Sequence, residues 1–300
     1  MIPYWLYYRA SGALGFCEPG SAVIIQDNEE LASLDGAALA VLGLSPIIYC
    51  ACNNENFTNP ATFDCYLADL QRRLVLKGIT PLAMMVEEEW YDRINGPDVG
   101  GWPCFSNMDP WLRKMLIRDR LTTFYGMIKA RWPWCYTVAV ESKWNDDGNW
   151  GVLLWYPPPV VDVLGCDPYL HAHGWPPMGT PPLVPDDTPE MRQKFDLEIG
   201  AVVKGYHFAD GREWRGAASY GKPLMLVGQG FKDRDPAGMW SVAPSGVQLG
   251  WWYSLACSTP SVVGLGWFCV RSAPSVIGLD GLPEQAAAVH ALWTQNHAPD

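Results

Sequence analysis

Acidic side chains follow several apolar runs of this sequence at the point where each run ends. Glu87, Glu88 and Glu89 come after a run that begins at residue 81. Glu141 ends the next run, and Asp167 directly follows the one after it. A carboxylate at the end of a buried strand loses hydration, which disfavours its charged form unless a partner or a reaction uses it. Because paired carboxyl groups serve as general acid, base and nucleophile, this pattern indicates carboxylate-based chemistry.

Large aromatic side chains accompany these acids. The chain contains 16 Trp and 13 Tyr, and Trp90, Trp144 and Trp267 stand at or just past the ends of apolar runs. An indole ring presents a flat apolar face and a polar edge, and a pyranose ring combines an apolar face with a polar rim. We therefore expect these three tryptophans to stack on sugar rings. Most of the other tryptophans are expected to pack in the core.

The composition excludes several classes of protein. With 49% hydrophobic and 18% charged residues, the 300-residue chain is globular and not disordered. A formal net charge of -11 argues against nucleic acid as a partner, because binding to a phosphate backbone requires clustered Lys and Arg. A neutral carbohydrate fits this charge better. No window approaches about twenty uninterrupted apolar residues, so we expect no membrane-spanning helix and no membrane partner.

The N-terminus and the cysteines bear on the compartment. Residues 1–5 lack a basic region and already resemble a strand, so no signal peptide is expected. Nine cysteines are scattered without a CxxC pair, which predicts reduced, buried thiols and not a disulfide framework. A reducing compartment such as the cytoplasm, or a virion, is the expected location. The sequence leaves the oligomeric state open.

Eight apolar runs predict the strands that must position the acidic and aromatic side chains. They are residues 4–8, 22–27, 47–50, 81–89, 136–141, 160–166, 224–227 and 262–268. Helical patterns cover residues 28–42, 63–76, 109–131, 188–206, 247–257 and 282–293. Strands that alternate with helices predict right-handed βαβ units and a parallel sheet. Eight such strands favour a single (β/α)8 TIM barrel domain over residues 1–300.

Long polar or Pro-rich segments follow several predicted strands. Residues 53–60, 95–107, 144–159 and 171–187 are interpreted as long βα loops. In a barrel of this type, these loops and the carboxyl ends of the strands build the active site. The acids and aromatic residues named above are therefore expected to converge at one end of the barrel.

Three of these strand ends carry recognisable short motifs. Residues 87–90 are Glu-Glu-Glu-Trp, residues 162–169 are Asp-Val-Leu-Gly-Cys-Asp-Pro-Tyr, and residues 262–267 are Val-Val-Gly-Leu-Gly-Trp. In these positions the chain resembles the clan A glycoside hydrolases, a superfamily of (β/α)8 enzymes whose general acid/base Glu ends the fourth strand. The sixth and eighth strands of that clan often read D-x-I-G-x-[ND]-x-Y and V-x-G-x-x-W. The resemblance implies hydrolysis of a glycosidic bond in an oligo- or polysaccharide.

The seventh strand departs from the pattern of the clan. Residues 222–231 are similar to the stretch K-P-(apolar)-E-x-G-(aromatic) that carries the nucleophile, but Gln229 stands where a Glu is expected. An amide cannot form the glycosyl ester of the retaining mechanism. Either another carboxylate does this work, or the barrel no longer cleaves sugars. In the second case it binds carbohydrate without catalysis or forms part of a larger assembly, such as a virion or a surface particle.

The acids can be given roles on this resemblance. Glu88 is the expected general acid, with its pKa raised by its acidic neighbours and by Trp90; Glu87 or Glu89 takes this place if the register of the strand slips. Glu141 is the expected base or nucleophile, with Asp167 as its substitute. Cleavage requires the two carboxyl groups to lie roughly 5–5.5 Å apart for retention or about 6.5–9.5 Å apart for inversion. The alternative is structural: Glu141 pairs with a cation, and Asp167 caps a loop.

The remaining site residues follow from the same strand ends. Gln229 is expected to hydrogen-bond a sugar hydroxyl, and four aromatic residues are expected to stack on sugar rings: Trp90, Trp144, Tyr169 and Trp267. His171 and His173 lie near Asp167, but the spacing indicates no third ligand, so no metal is expected. Neither a GxGxxG nor a GxxxxGK[ST] motif occurs, and no nucleotide or other cofactor is expected.

Overall fold

The computed structural model describes residues 1–8, 14, 17–26, 29–86, 102–141, 157–166, 188–207, 209–211, 213–229, 231–232, 246–268, 276–277, 279 and 282–298. Within these residues, eight parallel strands close into a barrel. They are β1 (Tyr4–Tyr8), β2 (Ala22–Gln26), β3 (Ser45–Cys50), β4 (Ala83–Val86), β5 (Tyr136–Glu141), β6 (Val163–Cys166), β7 (Leu224–Gln229) and β8 (Val262–Phe268). Each strand pairs with the next along the chain, and β8 pairs with β1 to close the ring. All eight predicted strands are present with some ends shifted, residues 87–89 of the fourth lie outside the described residues, and the (β/α)8 fold class is confirmed.

In the described residues, helices follow β2, β3, β4, β6, β7 and β8. They are α1 (Glu29–Ser33), α2 (Gly36–Val41), α3 (Asn54–Thr58), α4 (Pro60–Leu76), α5 (Pro110–Arg131), α6 (Pro189–Phe195), α7 (Ala201–Lys204), α8 (Gly246–Cys257) and α9 (Pro283–His297). A π-helical segment, Asp196–Gly200, joins α6 to α7. The helices predicted over residues 63–76, 109–131, 247–257 and 282–293 are present with shifted ends.

Three predicted elements differ from the structure, two of them because polar caps divide the chain more finely than the hydrophobic pattern does. The helix predicted over residues 28–42 is divided into α1 and α2, since Asp35 caps α2 by accepting the N–H of Ala38 at 2.8 Å. The loop predicted over residues 53–60 contains α3, which Asn53 caps by accepting the N–H of Asn56 at 2.8 Å. The helix predicted over residues 188–206 is interrupted by the π-helical segment.

The barrel interior is filled with apolar side chains. Its buried cluster consists of Leu6, Ala22, Ile24, Ile47, Tyr49, Ala83, Met85, Val138, Val140, Val163, Met225 and Val227. Two glycines make this packing possible. A Cβ atom at Gly165 would lie 2.4 Å from Cγ2 of Val140, and one at Gly264 would lie 3.0 Å from Cδ1 of Leu6. The interior is therefore a packed core, and a ligand must bind above it, at one end of the barrel.

A second, larger cluster fills the space between the strands and the surrounding helices. It contains the fully buried aromatic side chains Trp5, Phe57, Phe63, Phe124 and Trp252. Phe63 and Phe124 join α4 to α5, with their ring centroids 4.1 Å apart. Burying one large apolar side chain contributes about 1.5–3 kcal/mol, so this layer holds the helices against the barrel.

Helix α5 begins where the sequence predicts, but the large apolar side chains at its start are exposed. Asp109 is the N-cap, accepting the N–H of Trp111 at 2.9 Å, and Pro110 is the first helical residue. Trp111 and Leu112, at the start of the helix, are exposed. The face that packs on the barrel begins further along the helix, with Ile117, Leu121, Phe124, Tyr125 and Ile128.

The cysteines of the described part of the chain are all free thiols. Cys17, Cys50, Cys52, Cys135 and Cys166 are buried, whereas Cys65 and Cys257 are exposed. The prediction of buried thiols is therefore wrong for Cys65 and Cys257. Within the described residues, no helix has both the length and the apolar composition needed to cross a bilayer.

Candidate active site

The carboxyl ends of the eight strands meet at one edge of the barrel, as the parallel closure requires. At this edge Glu141 is the last residue of β5 and Cys166 is the last residue of β6, and the two are register partners. Asp167 is the next residue in the sequence. The described part of β6 therefore ends at the level of Glu141, and Asp167 itself lies outside the described residues.

The end of β4 is fixed against β5 by a side chain from helix α5. The hydroxyl of Tyr125 accepts the N–H of Val86 at 3.3 Å and donates to the carbonyl of Val138 at 2.5 Å. Val86 is the last residue of β4, and the predicted acids Glu87, Glu88 and Glu89 follow it in the sequence. The position from which the acidic run departs is thus set by a buried hydroxyl.

The ends of β2, β3 and β4 form one side of the floor beneath this edge. Gln26, Tyr49 and Met85 are register partners at one level of the barrel. Tyr49 is 8% exposed and belongs to the interior cluster together with Met85. The backbone N–H of Gln26 donates to Oε2 of Glu30 on α1 at 2.8 Å, which fixes the end of β2. Gln26 and Tyr49 have polar side chains, and both residues lie at the same level of the barrel as the apolar Met85.

Strands β7 and β8 supply the opposite side of the edge. Gln229 ends β7 and is the register partner of Trp267 on β8. Beyond these strands, Phe231–Lys232 pairs with Val276–Ile277 in a short antiparallel ribbon. This ribbon joins the loop after β7 to the loop after β8, both of which belong to the carboxyl edge.

The structure corrects the expected role of Trp267. This side chain is fully buried and belongs to the cluster between the strands and the helices. Its ring lies 5.5 Å from the ring of Trp5, measured between centroids. A side chain with no exposed surface cannot stack on a sugar ring, so Trp267 packs the core.

The other predicted site residues are placed only in part. Glu141 and Gln229 are located at the carboxyl edge by the backbone register of their strands. Glu88, Trp90, Trp144, Asp167 and Tyr169 lie outside the described residues, as do His171 and His173. No group of three or more His, Cys, Asp and Glu residues in the described ranges is arranged to hold a metal ion.

Sequence reasoning missed Tyr125, Tyr49 and Gln26. Tyr125 lies in the helical pattern of α5, where an aromatic residue next to Phe124 is ordinarily a core residue. Nothing in the sequence shows that its hydroxyl reaches the end of β4. Gln26 and Tyr49 each end or nearly end a predicted strand, and this position is the one signal that points to them.

One carboxylate with a lowered pKa, Asp162, lies at the opposite end of the barrel. Asp162 accepts the backbone N–H of Thr137 at 2.9 Å and pairs with Nζ of Lys129 at 2.6 Å. Burial acts to raise the pKa of Asp162, but the hydrogen bonds from Lys129 and Thr137 outweigh it and leave this pKa lowered. Asp162 opens the motif shared with the sixth strand of the clan, and here it links β5 to the start of β6.

A groove of about 720 Å³ lies outside the candidate site. Its walls are residues of α8 and α9 and the chain just after α8, including Trp251, Ser254, Cys257 and Leu292. These residues belong to the helical layer and not to the strand ends. The groove therefore has no part in the chemistry of the carboxyl edge.

Comparisons with known proteins bear on the fold. No family model and no curated protein sequence matches the chain. An exo-β-1,4-mannosidase from Opitutaceae bacterium strain TAV5 matches with a TM-score of 0.59 at 14% identity, over 100% of this chain and 61% of that chain. The hyperthermostable endo-1,4-β-D-mannanase from Thermotoga petrophila RKU-1 matches with a TM-score of 0.57 at 11% identity, over 97% and 99% of the two chains. A further endo-β-1,4-mannanase structure from Thermotoga petrophila has a TM-score of 0.55 at 11% identity, over 100% and 77%.

At identities of 11–14%, these likenesses concern the fold alone. They cover nearly all of this chain and thus the whole ring of strands. The chain shares the (β/α)8 barrel of these mannan- and mannoside-cleaving enzymes.

Proposed function

We propose that this protein is a glycoside hydrolase that cleaves a glycosidic bond in an oligo- or polysaccharide with carboxylates at the carboxyl edge of the barrel. The observation that carries the proposal is the register of Glu141 with Cys166, which brings the ends of β5 and β6 together beside the end of β4. In the sequence Glu88 follows β4, Glu141 ends β5 and Asp167 follows β6, so each of three consecutive strands has a candidate carboxylate at its carboxyl end. The barrel shared with mannosidase and mannanase structures supports the reaction class and leaves the sugar open.

The spacing of the strands suits the geometry of this reaction. Neighbouring strands of a sheet lie about 4.7–4.9 Å apart. Carboxyl groups on adjacent or next-adjacent strand ends therefore reach the roughly 5–5.5 Å needed for retention or the about 6.5–9.5 Å needed for inversion. The packed interior keeps the substrate above the floor that Tyr49 and Met85 help to form.

Each acid has a defined task in this proposal. Glu88 protonates the glycosidic oxygen as the leaving group departs. Glu141 attacks the anomeric carbon directly or deprotonates the water that attacks it, and Asp167 is the substitute for this second role. Trp90, Trp144 and Tyr169 provide faces for sugar rings, and Gln229 hydrogen-bonds a hydroxyl. The net charge of -11 favours a neutral sugar over an anionic one.

The test is turnover of a panel of aryl glycosides and neutral polysaccharides, with β-mannosides and mannan included, by wild type and Glu88→Gln. Glu213→Gln is the matched control, because Glu213 lies on an exposed ribbon and pairs with His207 at 3.1 Å. We expect wild type and the control to cleave at least one substrate. Loss of the general acid should lower kcat by on the order of 10²–10⁴ on substrates with poor leaving groups. Equal cleavage by Glu88→Gln contradicts the role given to Glu88.

One observation favours a second function, a non-catalytic barrel that binds carbohydrate. Gln229 ends β7, where the clan that the sequence resembles carries its nucleophile. Saturable binding to a polysaccharide, with no product released from any member of the panel, would support this alternative. Replacing Gln229 with Glu distinguishes the two cases further, since a barrel that lost only its nucleophile should gain turnover.

A further inference from the structure

Helices α8 and α9 present an outer surface with almost no charge. Apart from Glu284 at the start of α9, neither helix contains an Asp, Glu, Lys or Arg residue, although the net charge of the chain is -11. By comparison, α4 exposes Asp69 and Arg72. Helices α8 and α9 pack side by side, since a Cβ atom at Gly246 would lie 3.5 Å from Cβ of Ala288. We call their joint outer surface the α8–α9 face.

A groove of about 720 Å³ lies on the α8–α9 face. Gly250, Trp251 and Ser254 line it from α8, and Leu292 lines it from α9. Its wall is held from within, because the ring of Trp251 lies 5.7 Å from the ring of Phe195, measured between centroids. The groove is therefore a preformed feature of the surface.

Gly250 leaves room in this groove that the described part of the chain does not fill. A Cβ atom at Gly250 would meet no atom within 4 Å beyond the backbone of its own helix. Glycine in a helix interior is less favourable than alanine by about 1 kcal/mol, and packing among the described residues does not require it here. A second surface that approaches α8 closely would require it, because glycine lets another chain come near to the helix backbone.

The occupant that fits the α8–α9 face is a second copy of this chain. A partner of opposite charge would bind to the acidic surfaces of the protein instead. Two copies that each carry a net charge of -11 repel one another, so they meet most easily where charged side chains are missing. Contact through the centre of this face removes no charged side chain from water, which avoids a large desolvation cost.

Charges of opposite sign border the face. Beside α8, Nζ of Lys204 donates to Oγ of Ser258 at 2.6 Å. Beside α9, Glu18 pairs with Nδ1 of His290 at 2.7 Å. An uncharged centre surrounded by a polar rim is the usual composition of a protein–protein interface.

The face also has the size of a small interface. Helix α8 has 12 residues and α9 has 15, which makes them about 18 and 22 Å long. With helix axes about 10 Å apart, the face measures about 20 Å in each direction, and its relief brings the accessible area to about 500 Å². Two such faces bury about 1,000 Å², the lower end for specific protein–protein contacts. The expected association is therefore weak and reversible.

We propose that two copies of the chain form a reversible dimer through their α8–α9 faces, each copy covering Gly250 of the other. The contact is isologous, so the same face serves both copies. The inference does not depend on the proposed function. Because the copies repel and the contact itself is uncharged, added NaCl screens the repulsion and strengthens the dimer.

The experiment is analytical ultracentrifugation of wild type, Gly250→Glu and Gly126→Glu at about 1 and 100 µM, concentrations that bracket a micromolar Kd. Gly126 on α5 is the matched control, because a Cβ atom there also meets nothing within 4 Å and the added charge is the same. We expect wild type and Gly126→Glu to be monomers at the low concentration and dimers at the high one. Gly250→Glu should raise the dimer Kd about 10-fold or more, because each contact then buries unpaired charge.

Two results overturn the inference. One is wild type that stays monomeric at the high concentration, with added NaCl as well. The other is a dimer Kd of folded Gly250→Glu equal to that of wild type. Should Gly250→Glu not fold, Gly250→Gln places an uncharged side chain in the same groove and should also weaken the dimer, and an unchanged Kd there overturns the inference.

Cys257 gives a second readout, since its exposed thiol lines the same groove. Cys65 on α4 is also exposed and is the internal control. At the low concentration N-ethylmaleimide should modify both thiols. At the high concentration the dimer should slow modification of Cys257 relative to Cys65 by about 3-fold or more, and Gly250→Glu should remove this protection. The same ratio of rates at both concentrations overturns the inference, because it places Cys257 outside any contact between copies.

Discussion

The side-chain amide of Asn296 hydrogen-bonds both backbone polar groups of Ile2. Its Oδ1 accepts the N–H of Ile2 at 2.8 Å, and its Nδ2 donates to the carbonyl of Ile2 at 3.0 Å. Asn296 is 5% exposed and Ile2 is 2% exposed. The last helix is therefore joined to the residue that leads into β1, next to the strand pair that closes the barrel.

This relationship predicts that Asn296→Ala destabilises the protein by about 1–3 kcal/mol, because both backbone groups of Ile2 lose their partner in a buried place. Urea denaturation measures the free energy of unfolding. Thr294→Ala is the control, since Thr294 lies on the same helix and bonds only the helix carbonyl of His290 among the contacts described. An Asn296→Ala variant as stable as the control contradicts the prediction.

The lowered pKa of Asp162 predicts that the stability of the protein depends on pH. Hydrogen bonds from Lys129 and Thr137 outweigh burial and hold the pKa of Asp162 below its usual range. A carboxyl group whose pKa is lowered by folding stabilises the protein above its unfolded pKa of about 3.9, and this contribution is lost as the pH falls through the folded pKa. Since Asp162 is about a third exposed, solvent weakens the effect.

Wild type should therefore exceed Asp162→Asn in stability at pH 7, and the difference should shrink at about pH 3. Urea midpoints at the two pH values measure it. Asp119→Asn, on the exposed face of α5, should follow wild type at both. A constant difference between wild type and Asp162→Asn would show that the ionised carboxylate is not what stabilises the β5–β6 pair.

The burial of Trp267 predicts that its replacement lowers the stability of the protein and does not act on sugar binding. It is fully buried against Trp5, so Trp267→Ala should cost about 3–5 kcal/mol through lost burial and the cavity that remains. Trp134 is 61% exposed, and Trp134→Ala should change stability by less than about 0.5 kcal/mol. Thermal and urea unfolding provide the comparison. Weaker sugar binding by a fully stable Trp267→Ala protein would restore its role as a platform.

The different exposure of the thiols predicts which cysteines a thiol reagent labels in the folded protein. Burial raises the pKa of Cys135 to about 12, with Lys129 opposing this rise and Asp162 adding to it. At pH 8 its thiolate fraction is therefore only about 10⁻⁴, whereas Cys65 and Cys257 are exposed. N-ethylmaleimide should modify Cys65 and Cys257 in the folded protein and reach Cys135 only in urea, as peptide mass spectrometry can show. Labelling of Cys135 as fast as that of Cys65 would contradict its burial.

The strands were predictable because each is a short apolar run bounded by polar or turn-forming residues. The side of the sheet towards which each residue points was harder to predict. A strand that is buried on both faces shows no alternation of apolar and polar residues. In β8 the register shifts between Val262 and Gly264 and again between Leu265 and Trp267. Such bulges change which residues point inward, so the burial of Trp267 could not be read from its place in the sequence.

The helices show a similar limit. The helical pattern suggests one helix over residues 28–42, yet Asp35 caps a second one that begins at Gly36, where the chain also meets Gly78. A Cβ atom at Gly36 would lie 2.0 Å from the carbonyl oxygen of Gly78. This contact is tertiary and leaves no local signal. The bridge made by Tyr125 is hidden for the same reason, because it depends on which strands lie beneath α5.

In the proposed reaction Glu141, at the carboxyl edge of the barrel, acts as base or nucleophile. This role is tested by kcat/KM for Glu141→Gln on the best substrate of wild type, beside Glu213→Gln. We expect a loss of on the order of 10²-fold or more for Glu141→Gln and none for Glu213→Gln. Equal kcat/KM in wild type and Glu141→Gln, with both proteins folded, would contradict it.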